Sequence, residues 1–278
     1  MKHVPRKQFG QHWLRSERVL KQILDAAQLT SSDRVLEIGP GTGVLTRSLL
    51  QQAESVVAVE VDWDLVRSLR RQFPSTSQLL LIEADFLNLD LAAAIAPSGQ
   101  ERPNKVVANI PYYITGPIVE RLLGTIAKPT AVPYESIVLL TQKEVAQRLC
   151  AKPGSRTFGA LSVRVQYLAD CELICTVPPS AFQPPPKVDS AVVRLVPRPF
   201  EAVATLPKHL EMIVKLGFAT KRKMLRNNLK SIVDRDRLGH LLEQLKVSPQ
   251  ARAEELGVAQ WVALSNVLSQ EAIAPSSE

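Results

Sequence analysis

Arg34-Val-Leu-Glu-Ile-Gly-Pro-Gly-Thr-Gly43 is the stretch that decides the fold. Arg34 to Ile38 is an apolar run of strand length, and Val44 to Gln52 has helical spacing. Gly39, Gly41 and Gly43 lie between them. Glycines there permit a tight turn and let a ligand approach the backbone closely. A dinucleotide fingerprint would need Gly or Ala at position 44, which is Val. A Walker loop would need Gly-Lys-Ser/Thr, which is absent. Glu37, two residues before the first glycine, would repel a pyrophosphate and welcome a cation.

Outward from this loop the same alternation continues. Ser55 to Val61, Leu79 to Ile82, Lys105 to Ala108 and Ser136 to Leu140 are further strand-like runs. Trp63 to Phe73, Pro117 to Ile126, Lys143 to Cys150 and Gly159 to Leu168 have helical spacing, as does Ser16 to Ala27. Strands alternating with helices predict a parallel sheet covered on both faces. Glu172 to Val177 and Ala191 to Val196 complete seven strands. The loop Pro178 to Ser190 between them has no helical pattern, so an antiparallel edge is allowed.

In such a sheet, ligands bind outside the carboxyl ends of the strands. The second strand carries Glu60, nineteen residues after Gly41, where an acid can accept from both ribose hydroxyls. The third ends at Asp85, placed to accept from an adenine amine. Helix capping is the other use of such acids, and Asp62 or Asp64 can serve it instead. A glycine loop, a ribose acid and an adenine acid fit an adenosine cofactor without pyrophosphate. S-adenosylmethionine, with its sulfonium and ammonium, is the cofactor that Glu37 would suit. The fourth strand runs into Asn109-Ile-Pro-Tyr-Tyr113. A carboxamide, a fixed backbone and an aromatic face suit a nucleobase; a tyrosine plugging the sheet edge is the other reading.

The chain has 278 residues, 45% hydrophobic and 22% charged, with a net charge of +7. The charge is clustered. Residues 1–21 carry six Lys/Arg against Glu17, and residues 201–230 carry seven against Glu201 and Glu211. Such clustering points to a nucleic-acid footprint better than the total does, and a solvated basic face is the other reading. Three cysteines, Cys150, Cys171 and Cys175, argue for a reducing compartment, and Cys171 and Cys175 read as core residues rather than a metal site. No apolar run reaches the ~18 residues of a membrane span, and no signal peptide is expected, so the cytoplasm is the expected location. After Pro197 the strand-like runs stop. Leu210 to Phe218, Lys221 to Val233, Leu238 to Leu245 and Val258 to Leu268 are expected helices. The expected division is 1–199 (with a basic arm, 1–15), a helical domain over 200–272, and a disordered tail, 273–278.

Glu37-Ile-Gly-Pro-Gly-Thr-Gly43, Asn109-Ile-Pro-Tyr112 and Phe182-Gln-Pro-Pro-Pro-Lys-Val-Asp-Ser190 together resemble the KsgA (RsmA) family of small-subunit ribosomal RNA adenine dimethyltransferases. The resemblance runs from Arg6 to Leu229 and includes Lys221-Arg-Lys-Met-Leu-Arg-Asn-Asn-Leu229. It implies a Rossmann-like seven-stranded S-adenosylmethionine-dependent methyltransferase domain with a small all-helical C-terminal domain. It also implies dimethylation at N6 of two adjacent adenosines near the 3′ end of 16S rRNA, in the 30S subunit or its precursor. The erythromycin-resistance methyltransferases of 23S rRNA share the core motifs, and a mainly non-catalytic assembly factor is a further alternative. A monomer without metal is expected.

By this resemblance the cofactor contacts are His12, Leu14, Gly39, Glu60, Asp85 and Asn109, with Glu37 and Gly41 added from the loop. Asn109 and the Ile110 carbonyl would aim the amine, Pro111 would fix the turn, and Tyr112 would stack on the target base. Phe182 is expected as a second stacking face, with a core anchor as the other possibility. Lys187, Lys221, Arg222, Lys223 and Arg226 are assigned to phosphate, the last four as a helical stripe. Tyr113 is assigned to packing. Three positions depart from the usual pattern: His12, Trp13 (a larger plug over the cofactor) and Ser16, which can still cap a helix.

Overall fold

This computed structural model describes residues 11–74 and 76–273, with side chains as far as residue 270. Expectations for residues 1–10 of the basic arm and for 274–278 of the tail lie outside them. β1 (Trp13–Leu14) and α1 (Glu17–Ala27) precede the alternating region. That region contains β2 (Arg34–Ile38), α2 (Val44–Leu49), β3 (Ser55–Glu60), α3 (Trp63–Gln72), β4 (Leu79–Glu83), α4 (Leu91–Ile95), β5 (Lys105–Asn109), α5 (Thr115–Leu123), β6 (Ser136–Gln142), α6 (Lys143–Leu149) and α7 (Ala160–Leu168). β7 (Ala169–Val177), β8 (Phe182–Gln183) and β9 (Ser190–Pro197) follow, then α8 (Pro207–Gly217), α9 (Leu225–Asn228), α10 (Arg235–Gln244) and α11 (Val258–Ile273).

Seven strands form one sheet in the order β4-β3-β2-β5-β6-β9-β7. The pairs from β4 through β6 are parallel, and β9 is antiparallel to β6. The central strands β2, β3, β5 and β6 are buried on both faces because helices cover both. On one face Val35, Val56, Val107 and Val138 pack with Val19 and Ile23 of α1 and Leu45 and Leu49 of α2. Ser16 caps α1 by accepting from the Val19 amide, as its residue type allows. Strand order reverses between β2 and β5, which makes their carboxyl ends the natural ligand crevice.

The chain divides into two compact units. The first takes the described residues up to Leu122, Val132–Ala146 and Cys171–Pro197, and holds the sheet. The second takes Leu123–Ala131, Gln147–Asp170 and the described residues from Arg198, and is built on α7 to α11. The sequence boundary near residue 200 lies close to the last of these divisions, but two earlier segments also join the helical unit. Trp261 is its anchor, 0% exposed, with the Phe218 ring 5.6 Å away. Cys171 and Cys175 are half-buried, and Cys175 packs against the core.

The expected helix over 221–233 is reduced to α9, a single turn. Lys221, Arg222 and Lys223 lie in a turn before it, so they form no helical stripe with Arg226. Competing hydrogen bonds explain the difference. The Leu225 amide donates to Ala251 O at 2.8 Å instead of to a helical carbonyl. The Asn228 carboxamide donates to the Gly217 and Thr220 carbonyls, which pins the turn.

Gly217 gives a direct test of this packing. A Cβ there would meet the Trp261 ring at 2.4 Å. Gly217→Ala is therefore expected to destabilise the helical unit by about 1–3 kcal/mol through overpacking. Urea unfolding followed by tryptophan fluorescence measures it.

Candidate functional site

The ends of β2, β3, β4 and β5 surround a cavity of about 280 Å³. Gly39 and Gly41 form one wall, Glu60 and Asp85 a second, and Asn109 through Tyr112 a third. The two sides of the crevice nearly touch: a Cβ on Gly39 would lie 3.9 Å from the Asn109 carbonyl and from Pro111. Gly39, Gly41 and Gly43 have φ of +69°, +59° and +79°, so the loop uses the conformation only glycine adopts easily. The sequence-predicted glycine loop, strand-end acids and Asn109 motif thus meet at one place.

Glu60 organises this place. Its Oε2 accepts from the Gly41 amide at 3.1 Å, and its Oε1 accepts from the Val61 and Asp62 amides at 2.9 and 3.0 Å. A carboxylate has about four acceptor positions, so one remains, on Oε2. Asp62 caps α3, as its position suggested, by accepting from the Asp64 amide. Asp85 accepts from the Leu87 amide and the Asn88 carboxamide at an exposed position, which leaves it capacity for an amine.

Glu37 lies elsewhere than expected. It is 1% exposed, does not line the cavity, and its Oε2 has no hydrogen-bond partner among the described residues. Burial pushes its carboxyl up to about 8, Thr46 draws it partly back, and the neighbouring Glu60 charge adds to the rise. Burial also raises the Glu60 carboxyl, against the three amides that hold its ionised form.

The Asn109 Nδ2 donates to the His12 carbonyl at 3.0 Å. That use of the nitrogen leaves Oδ1 as the acceptor for a ligand amine. His12 is held in turn. Its Nδ1 donates to Pro184 O at 2.8 Å, since a carbonyl can only accept, and its ring stacks on Tyr112 at 5.6 Å. The Tyr112 hydroxyl bonds Ser190 Oγ at the start of β9, and burial raises its phenol. These contacts depend on a small antiparallel ribbon in which Trp13 pairs with Gln183 and Leu14 with Phe182.

The Phe182 expectation is corrected by that ribbon. Phe182 is 3% exposed, belongs to the core and does not line the cavity. Its β8 pairing turns it inward, which makes it the core anchor rather than a stacking face. Leu14 is buried beside it. Tyr113, assigned to packing, is 62% exposed and lines the cavity. Lys187 is exposed and does not line the cavity, and Lys221, Arg222, Lys223 and Arg226 belong to the helical unit.

Residues missed in the sequence also line the cavity. Gln11 donates to Asp62 at 2.9 Å. Val61, Phe86 and Leu87 supply apolar surface directly after the two acids. Arg121 lies 5.1 Å over the Phe86 ring and donates to the Leu87 and Leu89 carbonyls, which fixes that segment. The available signal was an apolar residue immediately following each strand-end acid. Trp13 packs 3.1 Å from where a Gly41 Cβ would stand, so it covers the glycine loop as a plug would.

The raised Glu37 carboxyl has a pH signature. The folded chain keeps its proton at pH values where the unfolded chain has lost it, so stability falls as pH rises from about 4.5 through about 8. Glu37→Gln removes the ionisation. Its stability relative to wild type is expected to be higher at pH 8.5 than at pH 5, by at most about 5 kcal/mol. Scanning calorimetry of the ligand-free protein at both pH values checks it.

The family described as ribosomal RNA adenine dimethylase matches residues 2–270. A Nostoc punctiforme protein named ribosomal RNA small subunit methyltransferase A is 63% identical over 272 residues, 95% of each chain. A Nostoc sp. protein of the same name is 63% identical over 268 residues, 96% of this chain and 99% of its own. A dimethyladenosine transferase from Plasmodium falciparum superposes with a TM-score of 0.77 at 26% identity, over 94% of this chain and 99% of its own. The 23S rRNA methyltransferase ErmE superposes with a TM-score of 0.72 at 29% identity, over 93% of this chain and 100% of its own. With its glycine loop, strand-end acids and Asn109 carboxamide gathered round one cavity, the chain belongs to the ribosomal RNA adenine dimethylase family.

Proposed function

We propose that this chain dimethylates N6 of two adjacent adenosines near the 3′ end of 16S rRNA, using S-adenosylmethionine, on the 30S subunit or its precursor. The observation that carries the reading is the Asn109 carboxamide, fixed by the His12 carbonyl with its oxygen left for an amine, at the mouth of a glycine-lined cavity. The name carried by the 63% identical relatives supports the small subunit as substrate. We further place the protein in the cytoplasm, as a monomer without metal and with a part in small-subunit biogenesis. Among the described residues no helix is long and apolar enough to cross a membrane.

The residues fit the donor. The positive-φ glycines allow it to approach the backbone, and Glu60 keeps one acceptor position for a ribose hydroxyl. Val61 and Phe86 offer apolar surface to a flat ring, and Asp85 offers an acceptor to an exocyclic amine. When bound, S-adenosylmethionine supplies an electrophilic methyl on a sulfonium.

The adenine amine is a weak nucleophile, because its lone pair is delocalised into the ring. Asn109 Oδ1 and the Ile110 carbonyl accept hydrogen bonds from its N–H groups and turn the lone pair toward the cavity, and the proton lost with each methyl transfer goes to solvent, since Asn109 to Tyr113 holds no base. Positioning of this kind can lower a barrier by up to about 7–11 kcal/mol. Tyr112 lines the cavity with its ring stacked on His12, and there it stacks on the target base, which must leave its own stack to arrive. Lys187, Lys221, Arg222, Lys223 and Arg226 neutralise rRNA phosphates. Lys221 also donates to the Arg156 carbonyl, which ties that turn to the loop carrying Lys152 and Arg156.

The likeness to ErmE supports a second reading, a 23S rRNA target. Labelled S-adenosylmethionine incubated with unmethylated 30S particles, 50S particles and free rRNA separates the two. Label is expected as dimethyladenosine in 30S; label confined to 50S overturns the reading. Asn109→Ala is expected to slow methylation on the order of 10²-fold, the typical loss for one positioning hydrogen bond. Particle binding by the same variant is expected to survive, and unchanged methylation would refute the role of Asn109. Replacing Lys221, Arg222 and Lys223 with Ala is expected to flatten the log K against log salt slope by about one unit per lost phosphate contact.

A further inference from the structure

Phe182, Tyr112 and Tyr113 are three aromatic side chains whose geometry gives them different occupations. Phe182 is in the core. Tyr112 is engaged on one face by His12 and at its hydroxyl by Ser190. Tyr113 lines the cavity yet is 62% exposed, and among the described residues no hydrogen bond or ring contact holds it. Residues 112–114 form a 3-10 turn, in which successive side chains project about 120° apart. Tyr113 therefore cannot share the base that rests on Tyr112.

An exposed tyrosine is ordinary on a convex surface. At the rim of a cavity it presents a rigid, flat face with few rotatable bonds, which is what a base needs for stacking. We propose that Tyr113 is a positioning residue that stacks on the nucleobase adjacent to the target, holding the strand at the cavity mouth while the target enters. The proposal rests on the methyltransferase reading above. It locates the substrate contact that Phe182 does not supply.

A neighbouring base makes the same contact before and during reaction, so its loss raises KM and leaves kcat unchanged. Unmethylated 30S particles are the probe, with steady-state methylation by wild type, Tyr113→Ala, Tyr113→Phe and Tyr113→Trp. Tyr113→Ala is expected to raise the particle KM about 10-fold, in the range of one lost base–aromatic stack, with kcat and S-adenosylmethionine affinity within twofold of wild type. Phe and Trp are expected to restore KM, and the salt slope is expected to stay unchanged, because no phosphate contact is lost. An unaltered KM in Tyr113→Ala overturns the proposal. So does a loss of kcat or of donor affinity alongside KM, or failure of Phe to rescue, since each marks a structural or hydroxyl role. If wild type leaves the 30S particle unmethylated, the underlying reading falls and the proposal with it; the wild-type control reveals that case by itself.

Discussion

The Glu60 carboxylate is the constraint on which the site depends. It gathers the Gly41 amide from the β2 loop and the Val61 and Asp62 amides from the end of β3. A glycine loop with three positive φ values has no intrinsic reason to keep one shape. Three charge-assisted hydrogen bonds to one buried group provide that reason. The same acid is then the wall of the cavity, so the ligand meets a surface already fixed by the fold. Beside it the buried Glu37 carboxyl is driven toward its neutral form, which avoids placing two negative charges behind one loop.

The second constraint works at long range. Asn109 is oriented by a carbonyl at residue 12, and that residue is held by a carbonyl at 184. The two-residue strands β1 and β8 make this possible. They contribute little as a sheet, yet they set the Asn109 carboxamide and bury Phe182 in one arrangement. A carboxamide can point either way; here the choice is made by a main-chain acceptor on the far side of the crevice.

Much of this was legible in the sequence, for a physical reason. Strands buried on both faces write long apolar runs, and the polar residues that interrupt them mark strand ends. Glu60, Asp85 and Asn109 were found that way. The ribbon was not, because strands of two residues carry no periodicity. Phe182 followed: without the pairing Leu14↔Phe182, an aromatic in a proline-rich loop has no visible inner side. Tyr113 was misassigned because adjacent tyrosines look alike in sequence and only the turn separates them. The helix expected at 221–233 failed where Asn228 and Ala251 offered the backbone other partners. Hydrophobic spacing is blind to such competition.

The place of β9 between β6 and β7 has a consequence for how the molecule is made. Most of the sheet can assemble as the chain emerges, since β2 to β6 pair through short crossovers. β9 is the last strand in the chain but an interior one in the sheet, so β6 keeps an open edge until residues 190–197 are available. An unpaired apolar edge is a template for pairing with another chain. Ser190, which holds Tyr112, arrives on this same strand. Closing the vulnerable edge and fixing the Tyr112 hydroxyl thus wait for the same strand.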